Sequence, residues 1–348
     1  MLPYISLHIS LLFVCLFPFK NKDAKYVAAF FLIVFLILLS VVRLGVGVDF
    51  YSYESYYIAL NDGKNINVER GFILVSRLMD LFGIGFQGVI ALYALTTIFL
   101  IVRFYSRFSR NLLMSLFLFY SLPILYLSSF NVIRQFLVVA MFAYSLKYLV
   151  NRNLFFYFFI NLFAAVFIHK SAVLMLPLYF FIHLEFSLSK YLILSVAYIL
   201  ALQFLEVIVS SLGFSAIYLN GNFQNTGVNY LVFVFFALFL FIYYFKKSLF
   251  LQSKDNIVFV NLMFVCTLIS FSSMFSNFPS APFMRLSTFF TIALPVLIVN
   301  VFPLIKNYSF RVYYLACVLA LPTVYFYASL MLRGGKNKLV PYTTFIFG

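Results

Sequence analysis

Few residues in this chain can move a proton or hold a phosphate, and they are unevenly placed. Five of its nine acidic residues, Asp49, Glu54, Asp62, Glu69 and Asp80, fall in a stretch that includes RLGVGVDFYSYESYY and NDGKNINVERGF. Arg43, Arg70, Arg77, Arg134, Lys170 and Arg285 stand apart from the chain's basic clusters, and His169 precedes Lys170. A carboxylate or an imidazole can take the proton of an attacking hydroxyl. A guanidinium stays charged at any working pH and grips phosphate oxygens as a two-pronged fork. Several such forks around one cavity would suit a lipid-linked pyrophosphate, whose charge lies at headgroup level. Proton acceptance by Glu69, Asp49 or His169, with charge stabilisation by arginines, is the chemistry these residue types allow.

The elements that must position them are membrane helices. Hydrophobic residues make up 65% of the 348 and charged residues 9%, with a mean hydropathy of +1.06. Apolar runs of about 17–23 residues recur, the length a helix needs to cross a bilayer, and in lipid a helix satisfies its own backbone. The alternating pattern of an outer-membrane barrel is absent. The fold class expected is therefore an all-α polytopic membrane protein, with one integral membrane domain over 1–348. The first run, MLPYISLHIS onward, lacks a basic n-region and reads as a permanent span. The 50 Phe and 26 Tyr fit lipid-facing and interfacial positions more simply than sugar platforms. Cys15, Cys266 and Cys317 lie in apolar runs without ligand spacing, so neither a disulfide framework nor a metal site is expected.

About twelve spans are expected, near 2–19, 25–43, 86–104, 111–128, 130–150, 154–168, 171–184, 190–212, 228–245, 256–275, 285–304 and 311–332. Residues 70–85, RGFILVSRLMDLFGIG, have helical periodicity interrupted by Arg77 and Asp80. They read as an amphipathic or re-entrant helix within an extracytoplasmic loop, 44–85. With that topology fourteen of the twenty-four basic residues fall in alternate loops (Lys20–Lys25, Arg103–Arg110, Lys147 with Arg152, Lys190, Lys246–Lys254, Lys306 with Arg311). These loops are the cytoplasmic side by the positive-inside rule. The net charge of +15 is then mostly topology, and no nucleic-acid partner is expected. Arg333, Lys336 and Lys338 dissent, because they fall outside.

The remaining charges each carry two readings. Arg43 either snorkels from the end of its span or serves a site. Arg134, about one turn inside NVIRQFLVVAMFAYSLKYL, favours function, because a buried intramembrane charge needs a reason. Arg285, after NFPSAPFMR, is a headgroup anchor or a ligand contact. His169 in FIHKSAVLMLP is a helix cap or polar contact more often than a metal ligand. Glu69 and Arg70 read as a solvated loop pair or as functional groups. Asp49, in GVGVDFYSY, lies among glycines that allow a tight turn and aromatics, Tyr51 and Tyr53, that could cover a sugar face.

Taken together, RLGVGVDFYSYESYY (43–57), ERGFILVSRLMDLFG (69–83), NVIRQFLVVAMFAYSLKYLVNRN (131–153) and FAAVFIHKSAVLMLPLYF (163–180) resemble the EpsG family, which groups with Wzy-type polysaccharide polymerases. Arg285 opening a late span and the PYTTF of 341–345 resemble it more weakly. The resemblance implies a glycosyltransferase with a bundle like that of the GT-C enzymes, acting at the outer face of the bacterial inner membrane. It implies transfer of a growing chain from undecaprenyl pyrophosphate to the non-reducing end of the next lipid-linked oligosaccharide unit. No cofactor is implied; membrane lipid and a separate chain-length regulator are. One departure is that the late loops, 213–227 and 276–284, are short and nearly uncharged where many Wzy-type proteins carry a long one.

On this reading Arg134 and Arg285 hold the pyrophosphate, Arg43, Arg70 and Lys170 support them, and Glu69, Asp49 or His169 is the base. A flippase would need repeat symmetry, and none is visible. A membrane acyltransferase would leave the arginines unexplained. A polymer ligase shares the leaving group and is separated from a polymerase only by the family resemblance.

Overall fold

The computed structural model describes residues 1–19, 21–202, 204, 228–275 and 280–345. Its regular structure is helical, with one isolated antiparallel bridge, between Arg43 and Thr344, among the described residues. In chain order the helices are α1 (Leu2–Leu16), α2 (Lys22–Val41), α3 (Phe50–Asn61), α4 (Arg70–Leu81), α5 (Phe86–Phe108), α6 (Leu112–Ser121), the single turn α7 (Ser128–Asn131), α8 (Ile133–Val150), α9 (Leu154–Phe163), α10 (Leu178–Phe181), α11 (Leu188–Leu202), α12 (Val228–Tyr244), α13 (Lys246–Gln252), α14 (Asn256–Phe275), α15 (Ser280–Thr291), α16 (Leu294–Val301) and α17 (Tyr308–Arg333). A π-helical turn, Ala164–Ile168, continues α9, and a 3-10 turn, Lys170–Met175, follows it.

Local chemistry explains where these elements start and stop. Asn21, Asn111, Asn153 and Asn307 each cap a helix by accepting a backbone N–H of its first turn. All four lie next to basic residues, Lys20 and Lys22, Arg110, Arg152 and Lys306. Helix α6 ends at Ser121 because Leu122 precedes Pro123 and is forced extended, so the expected run 111–128 is α-helical only in its first part. The run 171–184 is a 3-10 turn and a four-residue helix that meet at Pro177. The run 285–304 bends by 40° between Thr291 and Leu294. Part of 190–212, and the late loops 213–227 and much of 276–284, lie outside the described residues.

Among the described residues, four helices are long and apolar enough to cross a membrane, or up to six if each bent pair is one span. They are α2, α5, α8 and α17, with α12–α13 and α15–α16 as the bent pairs. The figure of about twelve crossings therefore finds four to six candidates of full length, and the other expected runs fall on shorter or broken helices. Residues 70–85 form a 12-residue helix, α4, followed by a break at Gly83 and Gly85, both at positive φ. Helix α4 buries Gly71, Phe72 and Ser76 and exposes Arg70, Leu74, Arg77 and Leu81.

The chain forms two compact units, Met1–Leu176 with Ile305–Gly348, and Pro177–Leu304. In the first, α5 lies along α8, with α2 on α5 and α9 on α8; α1 joins α2 to α6, and α17 packs on α6. Helix α8 is buried over 67% of its span and α17 over 11%, which makes α8 the core strut and α17 a peripheral helix. The hairpin of α3 and α4 is tied by Asp80, which accepts hydrogen bonds from the Tyr57 hydroxyl (3.0 Å) and the Asn61 amide (2.8 Å). Burial lifts the Tyr57 phenol above its ordinary pKa and the Asp80 carboxylate adds to it, so this hydroxyl stays a donor. In the second unit α14 is central and packs on α11, α12, α13, α15 and α16. There the Asn300 amide donates to Asn256 Oδ1 (3.1 Å), the Asn256 amide to the Leu249 carbonyl (2.9 Å), and Tyr191 to Asn261.

Candidate functional site

Two helix starts meet in the first unit. Glu69 immediately precedes α4, and Arg134 is the second residue of α8. Their side chains form an ion pair, hydrogen-bonded from Arg134 Nη1 to Glu69 Oε2, with each side chain 16% exposed. The guanidinium also sits 5.2 Å from the Tyr53 ring centre and 5.6 Å from that of Phe72, within cation–π range. A cation in the first turn of a helix faces the positive end of the helix dipole. Arg134 and the α8 terminus therefore reinforce one another in attracting an anion, and Glu69 supplies one. Arg134 Nε is buried without a hydrogen-bond partner. So is the hydroxyl of Tyr93 on α5, whose ring lies 6.4 Å from that of Phe72.

Glycine places Glu69. A Cβ on Gly71 would stand 2.2 Å from the carbonyl oxygen of Phe167, so only a bare backbone lets the start of α4 lie on the π turn. That turn delivers His169 in an extended conformation, with Nδ1 accepting from the Ser171 N–H (3.3 Å) and lying 2.8 Å from Ser171 Oγ. His169 thus caps the 3-10 turn. Lys170 beside it is exposed.

A second arginine holds the chain just before α8. Arg43 is 1% exposed, donates to the carbonyls of Phe130 (2.6 Å) and Val46 (3.2 Å), and lies 4.5 Å from the centre of the Phe130 ring. Gly47, at φ +107°, approaches the same Phe130 carbonyl so closely that a Cβ would be 2.5 Å from it. Asn131 Oδ1 accepts from the Val48 N–H (2.9 Å), and the Gln87 amide donates to the carbonyls of Val41 and Arg43. A small cavity lined by Ser40, Arg43, Tyr93, Thr97 and Ser129, among others, lies here. Its volume to water centres is about 10 Å³, close to what a single water requires.

Of the residues expected from sequence, Glu69, Arg134 and Tyr53 come together. Asp49 is half-buried at the start of α3, and Tyr51 is exposed with the Lys338 ammonium 5.1 Å from its ring centre. Arg70 is exposed beside Glu69. Arg43 is enclosed, its Nη1 engaged by the Phe130 and Val46 carbonyls, so it acts here through the loop it holds. Arg285, on α15, is exposed and belongs to the second unit. No three of the described His, Cys, Asp and Glu side chains are grouped so as to hold a metal ion. Sequence reasoning missed Tyr93, Phe72, Gln87 and Asn131. Tyr93 and Phe72 are aromatic residues in a chain full of them, and neither amide stands out until the backbone it bonds is known.

These helices, with a carboxylate–guanidinium pair walled by rings, define a multi-pass helical membrane protein. The EpsG family model matches residues 6–344, nearly the whole chain. The chain belongs to the EpsG family, a family of Wzy-like polymerases. At the level of the family it is a glycosyltransferase-like polymerase of polysaccharide biosynthesis. No curated protein and no solved structure gives a significant match.

Proposed function

We propose that the protein joins oligosaccharide units carried on undecaprenyl pyrophosphate, at the outer face of the bacterial inner membrane. The Glu69–Arg134 pair is the observation that carries this reading. Each partner is placed at a helix start, half-buried, with the guanidinium against the Tyr53 and Phe72 rings. The pyrophosphate of the donor competes with Glu69 for the Arg134 fork and for the positive end of α8. That exchange releases the Glu69 carboxylate next to the place where the sugar now sits. The anomeric carbon–oxygen bond to phosphate breaks, and its electrons leave with the pyrophosphate, stabilised by Arg134. The hydroxyl at the non-reducing end of the next unit forms the new bond and gives its proton to Glu69.

The Tyr93 hydroxyl, buried and unpartnered on a ring 6.4 Å from that of Phe72, offers a donor to a phosphate oxygen. Exposed Arg70 and Lys170 add positive potential for an anionic lipid headgroup. Asp49 and Tyr51 are left for contacts with the sugar. Membrane lipid and a chain-length regulator remain the other expected partners.

The test is the polysaccharide profile of a strain lacking the protein, resolved to single repeat units. Loss of the polymer ladder, with one lipid-linked or core-linked unit kept at the surface, is the expected result. Arg134→Lys should give the same profile with normal protein in the membrane. Normal polymer in the deletion strain would end the proposal, and units trapped inside the cell would point to a flippase instead.

A further inference from the structure

After α17 the chain turns back and is laced to the segment that follows α2. Leu44 N–H donates to the Thr343 carbonyl (2.9 Å), Phe345 N–H to that of Val42 (3.1 Å), and Gly47 N–H to that of Lys338 (2.8 Å). Thr343 Oγ1 donates to the Leu44 carbonyl, and Tyr342 to that of Leu39 (2.5 Å). From α1, Tyr4 donates to the Leu339 carbonyl (3.1 Å). The pairing of Arg43 with Thr344 is the isolated antiparallel bridge at the centre of these bonds.

The turn it grips is the one whose Arg43 and Val48 bond Phe130 and Asn131, three to four residues before Arg134. An unbroken run of hydrogen bonds therefore leads from Leu339–Phe345, through 42–48, to the start of α8. We infer that Leu339–Phe345 is a strap on the same side of the membrane as Glu69 and Arg134, and that it positions Arg134. The strap explains why Arg333, Lys336 and Lys338 break the charge rule that orients the rest of the chain. The bond from Gly47 N–H to the Lys338 carbonyl and those of 339–345 hold the segment that carries them at that turn, whatever the charge bias favours. The activity part of this inference rests on Glu69–Arg134 being the reacting centre; the sidedness does not.

Sidedness is tested by labelling spheroplasts with a membrane-impermeant maleimide, in a chain whose Cys15, Cys266 and Cys317 are replaced by Ala. Lys336→Cys should react before lysis, as should Lys64→Cys in the α3–α4 loop, while Lys190→Cys should react only after it. Lys336→Cys behaving like Lys190→Cys while Lys64→Cys reacts in sealed spheroplasts would overturn the inference. For positioning, polymer is measured per membrane-inserted protein in three variants. Deletion of 339–348 should lower it more than about tenfold, the scale of a small misplacement at a reacting centre. Thr343→Val, which lacks the hydroxyl, should lower it, and Thr343→Ser should restore it. Wild-type output from both the deletion and Thr343→Val would refute a positioning role. A protein that labels as expected but makes no polymer in any form would instead count against the proposed function.

Discussion

The first unit holds buried polar groups around Arg134 that are left open, whereas the asparagine amides around α14 in the second unit close on their neighbours. In the second unit Asn256, Asn300 and Asn261 are nearly inaccessible, and their amides end on each other, on Tyr191 or on backbone carbonyls. In the first, Arg134 Nε, Arg43 Nε, the Tyr93 hydroxyl and the Ser76 hydroxyl are buried with no partner. Saturated polar networks hold a core in one arrangement. Open ones cost stability and persist where something else, a ligand or a water, completes them. The contrast teaches that the helices around α14 are locked by their amides, while the Glu69–Arg134 end of the first unit carries buried polar groups that its own side chains do not satisfy.

The largest effect that could break this contrast is at Arg134. Replacement by Lys or Ala should lower polymer formation by about 10²–10³-fold, the usual cost of removing a donor that stabilises developing charge. The in-membrane amount should stay near normal, as quantified by immunoblot beside the polymer gel. Glu69→Gln should follow it in activity. Next in size is Gly71→Ala, which drives a methyl into the Phe167 carbonyl and should cost about 1–3 kcal/mol. Both the melting temperature in detergent and the polymer yield should fall.

Asn256→Ala sharpens the other half of the comparison. It removes the bond between the Asn300 amide and Asn256 Oδ1 and that from the Asn256 amide to the Leu249 carbonyl, and should lower detergent stability by about 1–3 kcal/mol, with polymer per folded protein unchanged. Smallest is Tyr93→Phe. Removing an unpartnered hydroxyl should leave stability unchanged or raise it by up to about 1 kcal/mol, while polymer formation falls several-fold. A marked loss of stability in Tyr93→Phe would mean that a buried water already completes that group, and the contrast between the two units would weaken.

Much of this was legible in sequence where one physical rule acted alone. Apolar runs marked the helices, and the Arg77 and Asp80 interruption marked α4 as too polar to span. An arginine in the first turn of an apolar helix marked Arg134. Breaks were harder, because Pro123 and Pro177 cut runs whose hydropathy continues through them. Glu69 and Arg134 lie far apart in sequence, so nothing local announces their pairing. Arg43 and Arg134 look alike as isolated arginines at span ends, yet one is buried under carbonyls and the other lies against two rings and a carboxylate. Only the packing of the 43–48 turn on Phe130 separates them. The strap was least visible, because its bonds are backbone to backbone and nearly any side chains could make them.

The π turn at Ala164–Ile168 has a consequence for which length changes the chain can survive. A π turn takes one residue more than an α turn would, so the faces before and after it stay in register despite the extra residue. Removing a single residue from that turn would let α9 close as an ordinary helix, with His169 and Ser171 kept on their side. In α8, a continuous α-helix buried over most of its span, the same deletion would rotate everything after it by about 100°. A one-residue deletion should therefore be tolerated better at 164–168 than anywhere within α8.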